Sequence, residues 1–407
     1  MSIEIDAPME HKKFVKGFKY RLYPTPEQAQ ALNQYLGAAR YVYNRLLADS
    51  IEVYNNWKEN PSLPKPTVSG YDFVNAIKNL KTHTNTPWLG VIPSVILQQK
   101  ALDLGSAFIN FFKKTHKNQG YPRFKKKGYN DSFRIVGDTS IRISLEGIIL
   151  PKTKSPIYIQ WSRDLPSTPS SYTVTRTSAG KYFISFVCEY IPDRKSGIDK
   201  VGIDLGIKDI AYLSTGESIP NPKPFIGAQK HLAHLQRQLA KCILGSRNFH
   251  KLRIKIANVH EYIRNFRLDF IHKLTSRLIG ENQAICLERL NVVGMTKNRH
   301  IAKHILDVAF GIISRLFVYK AQESTNTRIF LADPWYPSTQ LCSHCGGLPS
   351  VKISLNIRQW TCEHCGAVHQ RDFNASKNLE HLIDEMTPRL EAEPTKSRVI
   401  LVPRFSV

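Results

Sequence analysis

The sequence predicts a multidomain α+β protein, in which a small β-barrel with an inserted helical unit is followed by an α/β domain with a metal-binding insert. Three observations predict this architecture. Short β-rich runs flank a long stretch with helical periodicity, strands and helices alternate after residue 200, and two Cys-x-x-Cys pairs lie near the carboxyl end. For 407 residues we expect two or three domains, at roughly 150 residues per domain.

Residues 1–23 and 130–197 make up the predicted β-barrel, and residues 24–129 form the helical unit inserted into it. Phe14–Tyr23 is rich in aromatic and β-branched residues and precedes a Pro-Thr-Pro turn, which is typical of a strand. Within the insert, apolar residues recur at helical spacing over 27–53 and again before the next basic segment. The simplest arrangement is one barrel whose first strand is followed by the helical unit.

The charge of the chain indicates a polyanionic partner. Lys and Arg number 57 against 33 Asp and Glu, giving a formal net charge of +24 and a pI of about 9.7. The apolar stretches are too short to span a bilayer, so nucleic acid is the favoured partner and no membrane is expected. The polar amino-terminal residues lack an apolar signal segment, so we expect a cytoplasmic, nucleoid-associated protein.

A basic stretch over residues 113–127 contains no acidic residue and carries interleaved aromatic side chains. A solvated basic loop is the alternative reading, but aromatic rings suited to base stacking favour a nucleic-acid contact. The candidates are Lys113, Lys114, Tyr121, Arg123, Phe124, Lys125, Lys126 and Lys127.

A second basic segment covers about residues 229–280. Its apolar positions predict a helical hairpin, and its excess of Lys and Arg over acids differs from the mixed charges of an ordinary solvated helix. We therefore expect one face to line a groove for a phosphate backbone. The candidates for this contact are Arg247, Lys251, Arg253 and Lys255.

Three acidic residues in the α/β domain, residues 198–336 and 367–384, are the candidate catalytic groups. Asp204 and Glu288 each end an apolar strand-like run, and Asp372 precedes a predicted helix. Alone, each could be a strand-end carboxylate held by a backbone amide or a helix cap. Together they match how an RNase H-like sheet places carboxylates around paired Mg²⁺ (or Mn²⁺) ions for phosphodiester hydrolysis.

The pairs Cys342-x-x-Cys345 and Cys362-x-x-Cys365 have the spacing of a zinc ribbon, predicted over residues 337–366. Four thiolates favour a closed, structural Zn²⁺ site, whereas a redox pair is the alternative. Neighbouring histidines are less favoured ligands, and His369 is interpreted as structural. Because the ribbon immediately precedes Asp372, the metal is expected to position that carboxylate too.

These residues resemble the TnpB family, transposon-encoded RNA-guided nucleases related to the type V CRISPR effectors. The likeness extends nearly end to end, and Arg289 is a mild departure, since the family usually has an acid there. The tail, residues 385–407, lies outside the likeness and is predicted to be disordered. The segments that carry the resemblance are 20–25, 93–99, 121–127, 202–208, 288–295, 337–346 and 369–375.

The resemblance implies a wedge-type barrel, a helical recognition domain and a RuvC-type nuclease domain, with Asp204, Glu288 and Asp372 at the family's catalytic positions. It also implies a transposon-derived guide RNA, a double-stranded DNA target beside a short adjacent motif, and a monomeric complex. A binding protein that does not cut and a guide-free transposase are the alternatives. Candidates for reading the motif, equally expected as ordinary surface polar residues, are Gln98, Gln99, Asn130 and Ser132.

Overall fold

The computed structural model describes residues 13–113, 120–129, 131–137, 142–354, 356–392 and 398–402. The chain divides into two compact units, Met1–Ile191 and Pro192–Val407. Each unit has its own hydrophobic core. The sequence candidates Lys114 and Asn130 lie outside the described residues.

The first unit contains one antiparallel sheet and one hairpin. Its strands are β1 (Phe14–Tyr23), β2 (Asp131–Val136), β3 (Arg142–Ser144), β4 (Gly147–Ile149), β5 (Tyr158–Gln160), β6 (Ser171–Arg176) and β7 (Tyr182–Tyr190). Five of them pair in the order β2-β6-β7-β1-β5, and β3 pairs with β4. Alternate residues of β7, including Ile184 and Phe186, are buried, which places one face of the sheet on the core.

The described strands of this unit form an open sheet where the sequence predicted a barrel. β2 and β5 are the two edges and do not pair with each other among the described residues. β5 has only three residues, which pair with the end of β1. Just before β5, Ile157 forms a single bridge to Ile148 in the β3–β4 hairpin. So short an edge strand leaves β2 without a partner that would close the sheet.

The helical insert lies between β1 and β2. It consists of α1 (Pro26–Glu59), α2 (Gly70–Thr82), the 3₁₀ turn Pro87–Val91 and α3 (Ser94–Lys113). α1 begins with a capping box, because the Thr25 side chain accepts from the Gln28 amide while the Gln28 side chain accepts from the Thr25 amide. α2 and α3 pack closely at Gly70 and Gly105. A larger residue at position 105 would not fit, because its Cβ would lie 2.5 Å from the Gly70 Cα. The helices and the sheet share one hydrophobic core.

The second unit contains a mixed sheet and a small two-stranded sheet. The strands are β8 (Asp199–Asp204), β9 (Asp209–Leu213), β10 (Ser218–Pro220), β11 (Asn282–Glu288), β12 (Arg328–Ala332), β13 (Gln359–Thr361), β14 (Val368–Gln370) and β15 (Val399–Leu401). The mixed sheet has the order β10-β9-β8-β11-β12-β15, with β8, β11, β12 and β15 parallel and β9 and β10 antiparallel. Parallel strands covered on both faces require apolar runs, as β8 and β11 have.

Helices cover this sheet and form a hairpin beside it. They are α4 (Pro224–Ala240), α5 (Arg247–Glu281), α6 (Val292–Met295), α7 (Ala302–Val308), α8 (Phe310–Glu323) and α9 (Arg371–Ala392). The basic segment predicted as a hairpin is formed by α4 and α5, which pack together. α7 and α8 are separated at Ala309, whose φ of +60° is left-handed. No helix in the described ranges is long and apolar enough to cross a membrane.

The prediction of a disordered tail from residue 385 is wrong for the part of the tail that the structure describes. α9 continues to Ala392, and β15 adds a parallel strand beside β12. The Ile329 amide donates to the Arg398 carbonyl, and Ile400 and Val402 are buried against the core. The short apolar run at residues 399–402 stabilises this strand because it covers an edge of the sheet.

Candidate active site and zinc ribbon

Asp204 and Glu288 lie side by side at the carboxyl edge of the mixed sheet. Asp204 is the last residue of β8 and Glu288 the last residue of β11. These strands are parallel neighbours in which Ile203 is paired with Leu287, so the next residue of each strand emerges at the same edge and on the same face. Asp204 is buried and Glu288 is half-buried.

The third acidic residue reaches this edge from a helix. Asp372 is the second residue of α9 and is buried. α9 packs against β8 at Gly202, where an added Cβ would lie only 2.0 Å from the Ser376 carbonyl oxygen. Ser376 follows Asp372 by about one helical turn, so this close approach brings Asp372 to the end of β8.

The three carboxylates interact electrostatically. Burial raises the pKa of Asp204 well above its usual range, and the charges of Glu288 and Asp372 raise it further, whereas Arg371 and Arg358 lower it. Burial also raises the pKa of Glu288. Buried carboxylates that repel one another are stabilised by a bound cation, and carboxylate oxygens are the ligands that Mg²⁺ prefers.

Polar side chains hold two of these carboxylates in place. Arg358 Nη1 lies 2.9 Å from Asp372 Oδ2, and Arg371 Nη2 lies 2.9 Å from Asp372 Oδ1. The Ser338 hydroxyl donates to Glu288 Oε1, and this bond lowers the pKa of Glu288 against the effect of burial. The two guanidinium groups balance the charge of Asp372, so the site is oriented before any metal binds.

The acidic cluster is less tightly gathered than the thiol cluster. Within the described part of the chain, the cysteines of the ribbon are the one group of three or more His, Cys, Asp or Glu residues whose ligand atoms all lie within 4.8 Å of one another. At least one pair among the three carboxylates is therefore farther apart than 4.8 Å. Both oxygens of the Asp372 carboxylate form ion pairs, one with Arg358 and the other with Arg371.

Sequence reasoning missed two neighbours of the cluster. Arg358 belongs to the ribbon, and only the folded β13–β14 hairpin brings it to Asp372. Tyr212 pairs with Asp204 across β8 and β9, and its hydroxyl donates to Asp209 Oδ2 at 2.5 Å. An antiparallel pairing of the run that ends at Asp204 with the short apolar segment after it would have placed Tyr212 beside Asp204, whereas no local signal marks Arg358.

The four ribbon cysteines meet in one cluster. The Sγ atoms of Cys342 and Cys365 are 3.7 Å apart, as are those of Cys345 and Cys362. Thiolates around a tetrahedral zinc, with Zn–S bonds of about 2.3 Å, are separated by about 3.8 Å. The cluster therefore has the donor set and spacing of a structural zinc site.

The ribbon is joined to the start of α9. His369 Nε2 lies 2.9 Å from Cys342 Sγ, so this histidine contacts a cysteine of the cluster. Asn374, two residues after Asp372, donates to the Leu341 carbonyl at 2.7 Å and accepts from the Ser343 amide at 2.9 Å. Because these bonds flank Cys342, the geometry of the cysteine cluster and the position of Asp372 depend on each other.

The basic stretch of the first unit lines a cleft of about 550 Å³. Arg123, Phe124, Lys125 and Lys126 lie along it and are exposed, as are Lys113, Tyr121 and Lys127 nearby in sequence. The Asn44 side chain binds both the amide and the carbonyl of Lys125, which fixes this segment against α1. Of the candidates for motif reading, Ser132 lines the cleft, and Gln98 and Gln99 lie on α3.

The basic candidates of the second unit are exposed along α5. Arg247 is its first residue, and Lys251, Arg253 and Lys255 follow over the next two turns. No Asp or Glu occurs between Glu217 and Glu261. The α4–α5 hairpin therefore carries cations up to residue 260 with no acid in the same stretch, as a phosphate-binding surface does.

Comparisons with known proteins show which families the chain is similar to. Three family models match the chain: "Probable transposase" over residues 183–299, a helix-turn-helix domain over 14–59, and "Cas12f1-like, TNB domain" over 310–379. The first covers Asp204 and Glu288, and the third covers Asp372 and the four cysteines. In the structure, residues 14–59 form β1 and α1.

Curated relatives decide the family. A protein of Acanthamoeba polyphaga mimivirus named "TnpB-like protein L79" is 22% identical over 396 residues, covering 90% of this chain and 73% of its own length. A Streptomyces pristinaespiralis protein named "Putative RNA-guided DNA endonuclease" is 37% identical over 367 residues, covering 89% of this chain and 88% of its own length. The chain belongs to the TnpB family. Another relative with such a name, "Putative RNA-guided DNA endonuclease InsQ" of Escherichia coli K12, is 31% identical and covers 90% of this TnpB chain and 92% of its own length.

A solved structure supports the fold. The chain is similar to one in "Cryo-EM structure of the Cas12f1-sgRNA-target DNA complex", with a TM-score of 0.51 and 15% sequence identity, covering 88% of this TnpB chain and 83% of that chain. At this identity the likeness concerns the fold alone.

Proposed function

We propose that this protein is an RNA-guided DNA endonuclease that cleaves its target beside a short adjacent motif by metal-dependent phosphodiester hydrolysis. The observation that carries the proposal is the meeting of Asp204, Glu288 and Asp372 at one edge of an RNase H-like sheet, where burial and then the charges of Glu288 and Asp372 raise the pKa of Asp204. Relatives named as RNA-guided DNA endonucleases support the same activity.

The residues present fit paired Mg²⁺ or Mn²⁺ ions. Asp204, Glu288 and Asp372 would hold them through carboxylate oxygens, the donor type that these cations prefer. Bound metal would activate the attacking water and stabilise the leaving oxygen. Burial keeps bulk water from the Asp204 carboxylate, and the Ser338 hydroxyl fixes the orientation of Glu288.

Arg358 and Arg371 have a second role in this proposal. In the structure they balance the charge of Asp372. The Arg358 side chain is 55% exposed, so it is able to turn toward a phosphate of a bound strand when a cation neutralises Asp372. Arg371 is buried and remains beside the carboxylate to orient it.

The remaining parts would bind and position nucleic acid. The first unit corresponds to a wedge with its helical recognition insert, the second to a RuvC-like nuclease interrupted by a structural zinc ribbon. A transposon-derived guide RNA would select the DNA strand by base pairing, and the exposed cations of the cleft and of α5 would hold the phosphate backbones. One copy of the chain carries all three carboxylates, so a monomer suffices for the chemistry.

Reconstitution tests this function. RNA that co-purifies with the protein is sequenced and used as guide, and a plasmid library carrying the matching sequence beside randomised bases is incubated with protein, guide and Mg²⁺. We expect cuts in plasmids that share one adjacent motif, lost after RNase treatment or without Mg²⁺. Cleavage that survives removal of RNA would instead indicate a guide-free transposase, and specific binding without cutting would indicate a repressor.

A further inference from the structure

The strand-to-ribbon connection beside the carboxylates carries a large exposed aromatic side chain. Trp335 lies three residues after β12 and is 76% exposed. Single exposed apolar residues are common on protein surfaces and need no function. Two further features distinguish Trp335, namely the rigidity of its turn and its position beside Glu288.

The turn that carries Trp335 is held at both ends. The Trp335 amide donates to Asp333 Oδ1 at 2.9 Å, and the Tyr336 amide donates to the Asp333 carbonyl at 3.0 Å. Tyr336 packs against the core and its hydroxyl donates to the Asn378 carbonyl at 3.3 Å. Asn378 Nδ2 donates to the Ser338 carbonyl at 2.7 Å, so the chain on either side of the indole is fixed.

The same turn is attached to a candidate metal ligand. Ala332, at the end of β12, pairs with Glu288, and the Ser338 hydroxyl donates to the Glu288 carboxylate. Trp335 is three residues from each, and three residues span at most about 10 Å. The Trp335 backbone thus lies within about 10 Å of the backbones of Ala332 and Ser338, which both contact Glu288. About 10 Å corresponds to about three nucleotides of a DNA strand.

We propose that Trp335 is a stacking platform for one base of the DNA strand that is cut, which holds the strand in register at the carboxylates. The inference rests on the proposed function. An indole face suits any base, because every base has a π face, and stacking on aromatic side chains is how single strands are held without sequence choice. Because the backbone that carries the ring is already fixed, base binding orders only the Trp335 side chain, so its contribution appears in binding and positioning.

The test compares a protein change with a DNA change. Single-turnover cleavage is measured for wild type, Trp335→Ala and Trp335→Phe, on targets in which one nucleotide at a time near the cut is replaced by an abasic residue. We expect Trp335→Ala to lower kcat/KM by roughly 5- to 150-fold, the range for losing one base–aromatic stack, and Trp335→Phe to retain most of it. One abasic position should lower the wild-type rate similarly and have no further effect on Trp335→Ala.

Two controls separate stacking from structural effects. Thermal unfolding of Trp335→Ala should match wild type, since the ring is exposed. Val351→Ala, which removes another exposed apolar side chain (78%) on the ribbon, should cleave like wild type. If the Trp335→Ala and abasic effects multiply at every position, or if Trp335→Ala cleaves at the wild-type rate, the stacking role is refuted. A wild-type protein that cuts no guide-matched target would refute the proposed function, and the stacking role with it.

Discussion

Replacing Asp204 with Asn should abolish cleavage and also stabilise the metal-free protein. Asn keeps the size of the side chain and removes its charge. Loss of a metal ligand removes several kcal/mol of transition-state stabilisation, and about 4 kcal/mol corresponds to a rate loss of about 1,000-fold. In the absence of metal, the wild-type protein buries the Asp204 carboxyl group beside Glu288 and Asp372, and both the burial and the neighbouring charges make its ionised form unfavourable.

The stabilisation can be worked out from the charges. As a scale, two unit charges about 4 Å apart repel by about 4 kcal/mol at an effective dielectric constant of about 20, and Arg371 and Arg358 offset part of the repulsion that Asp204 experiences. We therefore expect the free energy of unfolding to rise by about 1–3 kcal/mol, or about 2–4 °C in Tm per kcal/mol for a unit of this size.

The pH dependence follows from the direction of the pKa shift. A carboxyl group whose pKa is raised on folding keeps its proton in the folded state after the unfolded chain has lost it. The metal-free wild type therefore loses stability as the pH rises from about 4 through the raised pKa of Asp204. Asp204→Asn lacks this loss, so the difference in Tm between the two proteins should widen over that window and then stay constant.

The assay combines thermal unfolding from pH 4.5 to 8 in buffer without Mg²⁺ and single-turnover cleavage with Mg²⁺, each at fixed protein concentration. Asp199→Asn, at the exposed start of the same strand, is the matched control and should leave both measurements unchanged. An Asp204→Asn protein that is less stable than wild type at pH 7 without Mg²⁺, or that still cleaves, would refute the reasoning about the charge cluster.

Three further predictions follow from other contacts. Gly202→Ala should cost at least about 1–3 kcal/mol in the free energy of unfolding and reduce cleavage, because its Cβ would overlap the backbone of α9; unchanged unfolding would contradict that packing. Cys345→Ser should release zinc, measured by metal analysis, and lower Tm, whereas Cys242→Ser outside the cluster should do neither. Arg358→Ala should change the free energy of unfolding by at most about 1 kcal/mol, because the Arg358 side chain in its ion pair with Asp372 is half exposed. The same substitution should slow cleavage by about 10²–10³-fold. A cleavage rate equal to wild type would exclude a role of Arg358 at the phosphate.

Much of the sheet framework could be predicted because the local signals are strong. Phe14–Tyr23 reads as a strand from its aromatic and β-branched residues and the prolines that follow it, and the structure places β1 there. The break between α7 and α8 carries no such signal. It depends on Ala309 taking a left-handed conformation, which helix periodicity does not indicate.

The short last strand was missed for a different reason. Residues 399–402 form an apolar run of four, too brief to distinguish a strand from a loose tail by periodicity. Its stability comes from the open edge of β12, a partner that is distant in sequence. Edge pairing of this kind is determined by the tertiary fold.

The candidate site also contains some residues that the sequence alone indicates and others that it does not. Asp204 and Glu288 end apolar strands, and a charge at that place predicts a bound or paired carboxylate, so sequence alone indicates them. Arg358 contacts Asp372 only after the ribbon has folded around its four cysteines. Side chains that reach the site through a tertiary contact leave no periodic or spacing signal in the sequence.

The central claim is that Asp204, Glu288 and Asp372 together bind the catalytic metal. Anomalous diffraction at the manganese edge, from crystals of the protein with guide RNA and target DNA grown in Mn²⁺, tests it most directly. We predict Mn²⁺ peaks bound by oxygens of all three carboxylates, with Arg358 withdrawn from Asp372. Peaks absent from this edge of the sheet, or bound without one of the three residues, would contradict the account.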